Sequence, residues 1–410
     1  MEKQVCIIGA GPAGLISAIF SASNGAGTIV LETNSNPGRK LLLTGGRRCN
    51  ITHDIEPAEL VRLLGRQGRF LSYCIYEYSP KYILDFFSDM GLETKTETDG
   101  CVFPVSYKAE DVRDVLIEKA KHLGVEFSCN RRVISIINKS GMFIIETTDD
   151  QISAEIIIIA TGGMSYPQTG STGDGYRFAQ QLGHTIVEPR PSLVPLVTSE
   201  KWPGQLAGTS VTNIGISTTL NDKTILTQGA VVFTDNGLGG PAAQDMSRYL
   251  TDYLPASEPV GITLDLAPDF KKEQLETRIV ELTNENPKKK LVNVFADFLP
   301  RRLAVVVCEL AGCDNETQAG QLKKQTRIKI TQTIKALPMS VLRTRSIEEA
   351  TVTRGGVSFT EINPKTMESI IYPGLFFAGE VIDVDGPCGG YNLQICWSTG
   401  ALAGACAAKK

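Results

Sequence analysis

Residues 4–15 have the sequence QVCIIGAGPAGL, an apolar run that ends in a Gly-x-Gly-x-x-Gly motif. The apolar run predicts a short buried strand, Pro12–Asn24 a helix of small residues, and Thr28–Glu32 a second strand. Glycines let the backbone approach a pyrophosphate where a Cβ would intrude, and the helix amino terminus offers free N–H groups to the phosphates. The glycines of the motif are Gly9, Gly11 and Gly14. The stretch therefore predicts a dinucleotide-binding βαβ unit and a parallel sheet with helices on its faces.

An acidic residue, Glu32, closes the second predicted strand. A carboxylate at this point can accept a hydrogen bond from a ribose 2′-hydroxyl, and it would repel a 2′-phosphate. The adenosine bound at the motif is therefore predicted to carry no 2′-phosphate, as in FAD or NAD but not NADP. The motif alone leaves FAD and NAD open.

Length and charge set limits on the class of protein. The 410 residues are enough for two or three domains, and the net charge of −4 predicts no affinity for a nucleic-acid backbone or an anionic membrane. Two local basic runs, Lys288–Lys290 and Arg301–Arg302, are interpreted as solvated helix faces. Glycines and Pro12 break the amino-terminal apolar run too early for a targeting segment, and no apolar stretch approaches the ~18–20 residues that span a bilayer.

The cysteines and histidines predict a cytoplasmic protein without a metal. The ten cysteines are scattered without a Cys-x-x-Cys pair, and several, including Cys6 and Cys308, lie inside apolar runs. This distribution favours a reducing compartment over a disulfide framework. The three histidines form no cluster with the cysteines at metal-ligand spacing, so no structural or catalytic metal is predicted.

The pattern of residues changes twice along the chain. Residues 191–264 are rich in Thr, Val, Ile and Gly in short alternating runs, which predicts strands. Residues 270–337 are charged, with apolar residues every three or four positions, which predicts helices. The chain then returns to a strand followed by a small-residue helix. We therefore predict a discontinuous domain, residues 1–190 and 346–410, interrupted by an inserted substrate domain at residues 191–345.

Three further segments favour FAD over NAD. Residues 38–50, GRKLLLTGGRRCN, combine adjacent glycines with four basic residues and can wrap a pyrophosphate against a flat ring system. Residues 160–163, ATGG, follow an apolar strand, and such a turn returns the chain beneath FAD in two-dinucleotide flavoproteins. Residues 379–392, GEVIDVDGPCGGYN, precede the last helix. An acidic residue there can bind ribityl hydroxyls, and the helix amino terminus can face the flavin N1–C2=O edge, where negative charge builds on reduction.

Four stretches resemble one known family across nearly the whole chain: GRKLLLTGGRRCNIT, ATGGMSYPQTGSTGDGY, ATVTRGGVSFTEINPKTMES and GLFFAGEVIDVDGPCGGYNLQ. They are similar to the BaiN-like family of bacterial FAD-dependent oxidoreductases, which includes aminoacetone-oxidase-like proteins. The resemblance implies an α/β fold of the two-dinucleotide-binding, glutathione-reductase-like type. In it, an inserted β-barrel-like and helical domain interrupts the FAD domain.

The resemblance also implies which residues hold FAD. The adenosine diphosphate half would contact Gly9, Gly11, Gly14, Glu32, the backbone of Val133, and, near the pyrophosphate, Thr161 and Gly162. The residues expected along the pyrophosphate and flavin are Arg39, Lys40, Thr44, Gly46 and Asn50. The residues expected at the ribityl chain and pyrimidine edge are Glu380, Asp383, Gly390, Asn392 and Leu393.

Three positions depart from the family pattern. Arg47 stands where relatives usually have the third of three glycines, so it adds a positive charge near the flavin or gives the loop a different shape. Asp235 stands where many relatives have His, and Ile370 where many have Lys. If these residues touch substrate, the substrate differs from those of the relatives.

The flavin N5 position accepts or donates a hydride, and the inserted domain is predicted to form the roof over the substrate. The leading hypothesis is a reductase that passes a hydride from NADH or NADPH to an activated C=C bond, as in the family's reduction of bile-acid-type enones. Because no second Gly-x-Gly-x-x-Gly exists, the nicotinamide nucleotide would bind transiently at the flavin face.

Two alternatives stay open: an oxidase that uses O2 on a small amine such as aminoacetone, and a flavoprotein that binds RNA. The candidate acid and base residues are Tyr166, Asp235 and Tyr391. Cys49 and Cys388 lack the spacing of a redox disulfide, so a catalytic thiol is not predicted. The sequence leaves the substrate and the oligomeric state open.

Overall fold

A computed structural model of the chain describes residues 3–254 and 258–410. The strands within these ranges are β1 (Lys3–Ile8), β2 (Thr28–Leu31), β3 (Thr52–His53), β4 (Thr94–Thr96), β5 (Cys101–Pro104), β6 (Glu126–Ser128), β7 (Val133–Lys139), β8 (Met142–Thr147), β9 (Gln151–Ile159), β10 (Ile186–Ser192), β11 (Leu196–Thr198), β12 (Ser210–Leu220), β13 (Lys223–Thr234), β14 (Gly237–Gly239), β15 (Val260–Asp265), β16 (Leu337–Thr344), β17 (Val352–Val357) and β18 (Leu375–Phe377).

The α-helices in the same ranges are α1 (Pro12–Ser23), α2 (Pro57–Leu63), α3 (Gly65–Glu77), α4 (Pro80–Asp89), α5 (Ala109–His122), α6 (Asp174–Gln181), α7 (Trp202–Gln205), α8 (Pro241–Leu250), α9 (Lys272–Glu285), α10 (Leu291–Val294), α11 (Arg301–Leu310), α12 (Lys324–Lys335) and α13 (Tyr391–Ala407). None of these helices is both long and apolar enough to cross a membrane. The chain forms two compact units: a discontinuous unit of residues 1–190 and 347–410, and a continuous unit of residues 191–346.

The discontinuous unit is built on a seven-stranded sheet in the order β6-β2-β1-β9-β8-β7, with β18 pairing with β9. β1 pairs in parallel with both β2 and β9, as the opening βαβ pattern predicts. The strands at the centre are apolar on both faces, because helices cover the sheet; Ile156–Ile159 of β9 are all buried. The second strand was predicted as Thr28–Glu32, but β2 ends one residue earlier, at Leu31, so Glu32 lies just beyond the strand.

Helices α1 and α13 pack closely in this unit because small residues line their contact. The Ser17 hydroxyl donates to the carbonyl oxygen of Gly400 at 2.9 Å. A Cβ at Gly404 would clash with the backbone of Ser17. The last helix of the chain therefore lies directly against the first helix, which begins at the glycine-rich turn.

The continuous unit contains a closed barrel in the order β11-β14-β13-β12-β15-β16, and its core continues into helices α9–α12. The β-rich part contains strands β11–β15 together with helices α7 and α8, and the part that follows is mainly helical, from α9 to α12, so the predicted β-barrel-like and helical insertion is confirmed. Three elements of this unit were not predicted: helices α7 and α8, and β16, which follows the later helices and closes the barrel between β15 and β11. The α/β fold class is confirmed as well.

Candidate functional site

The glycine-rich turn between β1 and α1 is shaped for close backbone approach. Gly9 has φ +99°, and a Cβ there would come within 2.6 Å of the carbonyl oxygen of Ala160 on the adjacent strand end. A Cβ at Gly14 would clash with the carbonyl of Gly9. At Gly11 the Cβ position is open, since no atom of the described residues other than its chain neighbours lies within 4 Å, and α1 begins at the next residue. The open backbone and the free helix amino terminus fit a pyrophosphate.

Glu32 is fixed beside this turn. Only 7% of the residue is exposed, and its Oε2 accepts a hydrogen bond from the backbone N–H of Ala10 at 2.9 Å. Its Oε1 accepts from the backbone and side-chain N–H groups of Asn34, at 2.8 and 2.6 Å. A carboxylate oxygen can accept more than one hydrogen bond, so Glu32 keeps capacity for a ribose hydroxyl. We call Gly9, Ala10, Gly14, Glu32 and Asn34 the Glu32 cluster.

Asn34 connects the Glu32 cluster to other predicted contacts. Its side-chain N–H donates to the carbonyl of Thr169 at 2.9 Å, and its Oδ1 accepts from the Arg39 guanidinium at 2.7 Å. Arg39 therefore lies beside the Glu32 cluster. The segment that leads into β7 passes the same point, because the Arg131 N–H donates to the Glu32 carbonyl at 2.9 Å. Val133, whose backbone is predicted to meet the adenine, follows two residues later.

A second group of polar residues gathers around Glu380. The Lys40 ammonium donates to Glu380 Oε2 at 2.7 Å and to Ser165 Oγ at 2.6 Å. Glu380 Oε1 accepts from Ser165 Oγ at 2.9 Å and from the Thr353 N–H at 2.7 Å. The side chains of Lys40 and Glu380 are only 18% and 15% exposed, so water screens this pair weakly. We call Lys40, Ser165, Thr353 and Glu380 the Glu380 cluster.

The Thr353 hydroxyl extends this cluster to the second glycine-rich turn. Thr353 Oγ1 accepts from the backbone N–H groups of Met164 and Ser165 at 2.8 and 3.0 Å. Gly163 leaves room for it, because a Cβ at that residue would come 2.6 Å from the Cβ of Thr353. Thr161 and Gly162 of this turn are half-buried. The Glu380 cluster thus joins four segments that are distant in sequence.

The basic loop at residues 40–50 is held at both ends near the third glycine-rich segment. Lys40 binds Glu380, and at the other end the Asn50 amide oxygen lies where a Cβ at Gly390 would approach it within 2.8 Å. Within the loop, the Thr44 hydroxyl donates to the carbonyl of Leu41 at 2.7 Å. Apart from its chain neighbours, no atom of the described residues lies within 4 Å of the Cβ position of Gly46, so the backbone there leaves room for a ligand.

Helix α13 begins directly after this segment. Its N-cap residue, Gly390, has φ +91°, and a Cβ there would come 2.5 Å from the carbonyl oxygen of Thr52. The first turn carries no acidic residue, so nothing within the helix cancels the positive end of its dipole. Asn392 folds back on the preceding loop, where its amide oxygen accepts from the Gly386 N–H at 2.8 Å. Leu393 is buried.

Two ionisable groups near Glu380 have shifted pKa values. Burial and the neighbouring Asp385 raise the pKa of Asp383, against the lowering effects of Arg354 and Arg66. Burial, together with the carboxylates of Glu380 and Asp383, raises the pKa of Tyr176. The Tyr176 hydroxyl is buried without a hydrogen-bond partner among the described residues. Both groups favour their neutral forms more than exposed groups do.

The predicted acid and base residues lie in different surroundings. Tyr166 is half-buried, has φ +52°, and begins the turn at Pro167–Thr169. Tyr391 is 9% exposed, and its ring stacks on the His53 imidazole with centroids 4.6 Å apart. Asp235 belongs to the continuous unit, where it is exposed in the turn between β13 and β14. Their catalytic roles stay predictions.

His53 was missed by the sequence interpretation. Its Nδ1 is 3.0 Å from the carbonyl oxygen of Gly389, and Gly100 lies against its Nε2. The imidazole therefore packs against the segment that starts α13. His53 directly follows the stretch GRKLLLTGGRRCNIT, and this position was the signal that the sequence offered. Ser165 and Thr353 lie inside two of the other stretches that resemble the family, but nothing in their neighbouring residues marked them as partners of Glu380.

Three cysteines lie in or beside these segments, and none of them belongs to a group of possible metal ligands among the described residues. Burial raises the pKa of Cys49 to about 12, so this thiol is protonated at neutral pH, and burial raises the pKa of Cys396 to about 12 as well. Cys388 is half-buried. Across residues 3–254 and 258–410, no group of three or more His, Cys, Asp or Glu side chains could hold a metal ion.

The fold and the two clusters suit FAD, and comparison with known proteins places the chain among the FAD-dependent oxidoreductases. The family is more specific. The model described as HI0933-like protein Rossmann domain matches residues 3–406, and the chain belongs to this family. The predicted BaiN-like resemblance is confirmed.

Curated relatives align over the whole chain. The 3-dehydro-bile acid delta(4,6)-reductase of Clostridium scindens is 29% identical over 411 residues, covering 100% of both chains. The ribosomal RNA dihydrouridine synthase of Escherichia coli is 30% identical over 412 residues, covering 99% of this chain and 98% of the relative. The synthase of the same name from Haemophilus influenzae is 30% identical over 400 residues, covering 96% and 95%.

Solved structures share the fold at low identity. The open conformation of a flavocytochrome c3 fumarate reductase aligns with a TM-score of 0.53 and 16% identity, over 100% of this chain and 78% of that chain. The 3-ketosteroid-delta4-(5alpha)-dehydrogenase of Rhodococcus jostii RHA1 aligns with a TM-score of 0.52 and 17% identity, over 100% and 97%. At this identity the similarity concerns the fold alone.

Proposed function

We propose that this protein reduces a C=C bond conjugated to a carbonyl group, with NADH or NADPH as the electron donor. FAD, when bound, supplies the chemistry of hydride transfer through its N5 position. The observation that carries the proposal is that two whole-chain relatives are named for saturating C=C bonds in chemically different molecules. Dihydrouridine is uridine with hydrogen added across a C=C bond conjugated to a carbonyl, and a delta(4,6)-reductase acts on a conjugated dienone.

The geometry of the discontinuous unit supports a reductase. The amino terminus of α13 presents a positive dipole end with no acidic residue in its first turn. A flavin edge beside it would be stabilised when negatively charged, which favours the reduced state. The Glu380 cluster fixes the basic loop and the second glycine-rich turn relative to that helix. The cluster thus holds the segments that we propose to bind FAD in place.

Saturating a C=C bond also requires a proton at the carbon next to the carbonyl. Tyr166, Tyr391 and Asp235 stay our candidates for its source. Among them, Tyr391 is best supported, because it begins α13 and is held by the stacked His53 ring. A tyrosine hydroxyl held in place can deliver a proton from a fixed position.

Two substrate classes follow from the relatives. A steroid-like enone is the first, as in the bile-acid reductase, and uridine within RNA is the second, favoured by both dihydrouridine synthases. The net charge of −4 argues against general affinity for RNA, whereas the exposed basic runs at Lys288–Lys290 and Arg301–Arg302 argue for a local one. The uridine class therefore stays a candidate beside the enone.

An anaerobic two-step titration tests the proposal. The FAD-loaded protein is first titrated with NADH and then NADPH while the flavin absorbance near ~450 nm is followed. The reduced protein is then mixed with a 3-oxo-Δ4 steroid or a uridine-containing ribosomal RNA fragment, and a separate sample with oxidised flavin is mixed with aminoacetone. Bleaching by a nicotinamide nucleotide and recovery with the steroid or RNA is the expected result, and the responding acceptor identifies the class.

A different outcome would reject the reductase. If both nicotinamide nucleotides leave the flavin oxidised, while aminoacetone bleaches it and air restores it, the protein is an amine oxidase.

Dihydrouridine in the RNA is detected by mass spectrometry as a gain of two hydrogens. Steroid reduction is detected by the loss of enone absorbance. These product measurements separate true reduction from slow reoxidation by residual oxygen.

A further inference from the structure

The loop that follows Lys40 contains an unusual run of left-handed backbone. Gly45, Gly46, Arg47 and Cys49 have φ values of +54°, +66°, +70° and +58°. Glycine adopts this conformation freely, whereas a residue with a Cβ is disfavoured in it by steric contact with its own backbone. The sequence therefore keeps an arginine at a position where the backbone favours glycine. Such a position points to a role for the side chain.

The structure gives the Arg47 side chain no role in the fold. It is exposed, and among the described residues it makes no ion pair, hydrogen bond or ring contact. The adjacent Arg48 differs: its guanidinium lies 4.4 Å from the centre of the Phe103 ring and pairs with Glu97 at 3.4 Å. Arg48 thus anchors the loop, and Arg47 is left available for a ligand.

The loop holds Arg47 beside the predicted flavin contacts within the discontinuous unit. Its first end is fixed by Lys40 on Glu380, and its second by Asn50 against Gly390 at the start of α13. Lys40 is neutralised by Glu380, and Arg48 is paired with Glu97. Of the three basic residues at positions 40–50, Arg47 is therefore the one that pairs with no carboxylate among the residues that the structure describes.

We propose that the Arg47 guanidinium binds a phosphate group of a nucleotide substrate at the flavin site. A planar guanidinium matches the geometry of a phosphate with two parallel hydrogen bonds. The chain has a single Gly-x-Gly-x-x-Gly motif, so a nicotinamide nucleotide lacks a second helix amino terminus of that type for its phosphates. The phosphate belongs to this donor or to an RNA acceptor, and the inference rests on the proposed function.

The test measures binding, so it does not depend on turnover. FAD-loaded Arg47→Gln, Arg47→Gly and Arg47→Lys are compared with Arg62→Gln, which removes another exposed arginine charge, on α2. NAD⁺ and NADP⁺ binding is followed by flavin difference spectra. Binding of a labelled uridine-containing RNA oligonucleotide is followed by fluorescence anisotropy, and a neutral 3-oxo-Δ4 steroid serves as the phosphate-free ligand.

We expect Arg47→Gln and Arg47→Gly to weaken the binding of one nucleotide ligand about tenfold, because one charge-assisted contact is lost. Arg47→Lys should bind with intermediate affinity, because it keeps the charge but not the planar fork. Arg62→Gln and steroid binding should be unchanged. A loss confined to NAD⁺ or NADP⁺ assigns the donor phosphate, and a loss confined to RNA assigns the acceptor. Unchanged affinity for all nucleotides in Arg47→Gln overturns the inference.

Failure of the proposed function gives a different pattern. If no acceptor reoxidises the reduced flavin but Arg47→Gln still weakens a nucleotide, the reductase assignment fails and the phosphate site stands. Thermal unfolding adds an independent check on the backbone argument. Arg47→Gly should raise the unfolding temperature by about 1 °C, because glycine relieves the left-handed strain while the unfolding entropy of a 410-residue chain is large. A lower unfolding temperature would show that Arg47 supports the fold, and it would overturn the inference.

Discussion

The Glu32 and Glu380 clusters each hold a carboxylate under three hydrogen bonds, but they are assembled in different ways. The Glu32 cluster forms within the first βαβ unit, where Ala10 and Glu32 are 22 residues apart. In the Glu380 cluster, Lys40 and Glu380 are 340 residues apart, and Ser165 and Thr353 come from two further segments. The first cluster is a local motif, whereas the second exists only when the discontinuous unit has closed.

The difference has an energetic consequence. Removing Glu32 frees backbone N–H groups next to a turn that other local contacts still define. Removing Glu380 leaves the Lys40 ammonium poorly solvated and takes the acceptor from both Ser165 and Thr353. An unpaired, partly buried charge destabilises more than an unmade neutral hydrogen bond. The Glu380 cluster should therefore affect stability most, and the Glu32 cluster should affect cofactor retention most.

Glu380→Ala should give the largest loss of stability. We expect the free energy of unfolding in urea of the FAD-free protein to fall by about 3 kcal/mol, because Lys40 loses the carboxylate with which it pairs. Asp85→Ala is the matched control, since it breaks the exposed Lys81–Asp85 pair and should change little. The double variant Lys40→Met with Glu380→Leu should recover part of the loss. A Glu380→Ala protein as stable as the parent would contradict the role assigned to this cluster.

Glu32→Ala should mainly affect the cofactor. The dissociation constant for FAD is expected to rise about 10- to 50-fold through loss of a charge-assisted ribose contact, while stability falls by only about 1–2 kcal/mol. The ratio of FAD to protein after gel filtration measures the effect. Glu32→Gln serves as the comparison, because it keeps the size and one acceptor oxygen. Full yellow colour in Glu32→Ala would place the ribose contact elsewhere.

Ser165→Ala is a smaller perturbation of the Glu380 cluster. The Lys40–Glu380 pair remains, and one hydroxyl that bridges it is lost, so we expect a loss of about 1 kcal/mol in the free energy of unfolding. FAD retention should change less than in Glu32→Ala. Thr353→Val removes a different hydroxyl of the same cluster, and its effect should be similar. If Ser165→Ala loses FAD while its free energy of unfolding stays unchanged, Ser165 contacts the cofactor directly.

The smallest expected effect is on the pH dependence of stability, and it comes from His184, which lies outside both clusters. It is 3% exposed, its Nε2 is 2.7 Å from Ser369 Oγ, and burial lowers its pKa. Because the folded pKa lies below the unfolded value of about 6.5, the unfolded chain takes up the proton first as the pH falls. Stability present above about pH 6.5 is therefore lost as the pH falls below it.

Thermal unfolding of the parent and of His184→Gln at pH 8 and pH 5.5 checks this linkage. The drop in unfolding temperature between the two pH values should be smaller in His184→Gln, because the titrating group is gone. FAD retention should be equal in the two proteins at each pH. An identical pH dependence would assign the effect to other groups.

Much of the fold and part of the site could be predicted from local patterns. The motif at Gly9–Gly14 predicted its own strand, turn and helix, because those contacts form between residues close in sequence. The β-rich and helical parts of the insertion were visible for the same reason. The strand β16 was not, because its place in the barrel depends on pairing with β11 and β15, which are far from it in sequence.

By itself, the sequence determined the glycine-rich turn and the carboxylate just beyond the second strand, since both rest on spacing within about 30 residues. The preference for FAD over NAD came from three further segments spread along the sequence, at residues 38–50, 160–163 and 379–392. The tertiary structure alone decided that Glu380 binds Lys40, Ser165 and Thr353, and that His53 stacks on Tyr391. Those partners are chosen by the path of the chain between them, because a polar side chain pairs with whichever donor the packed backbone brings within reach.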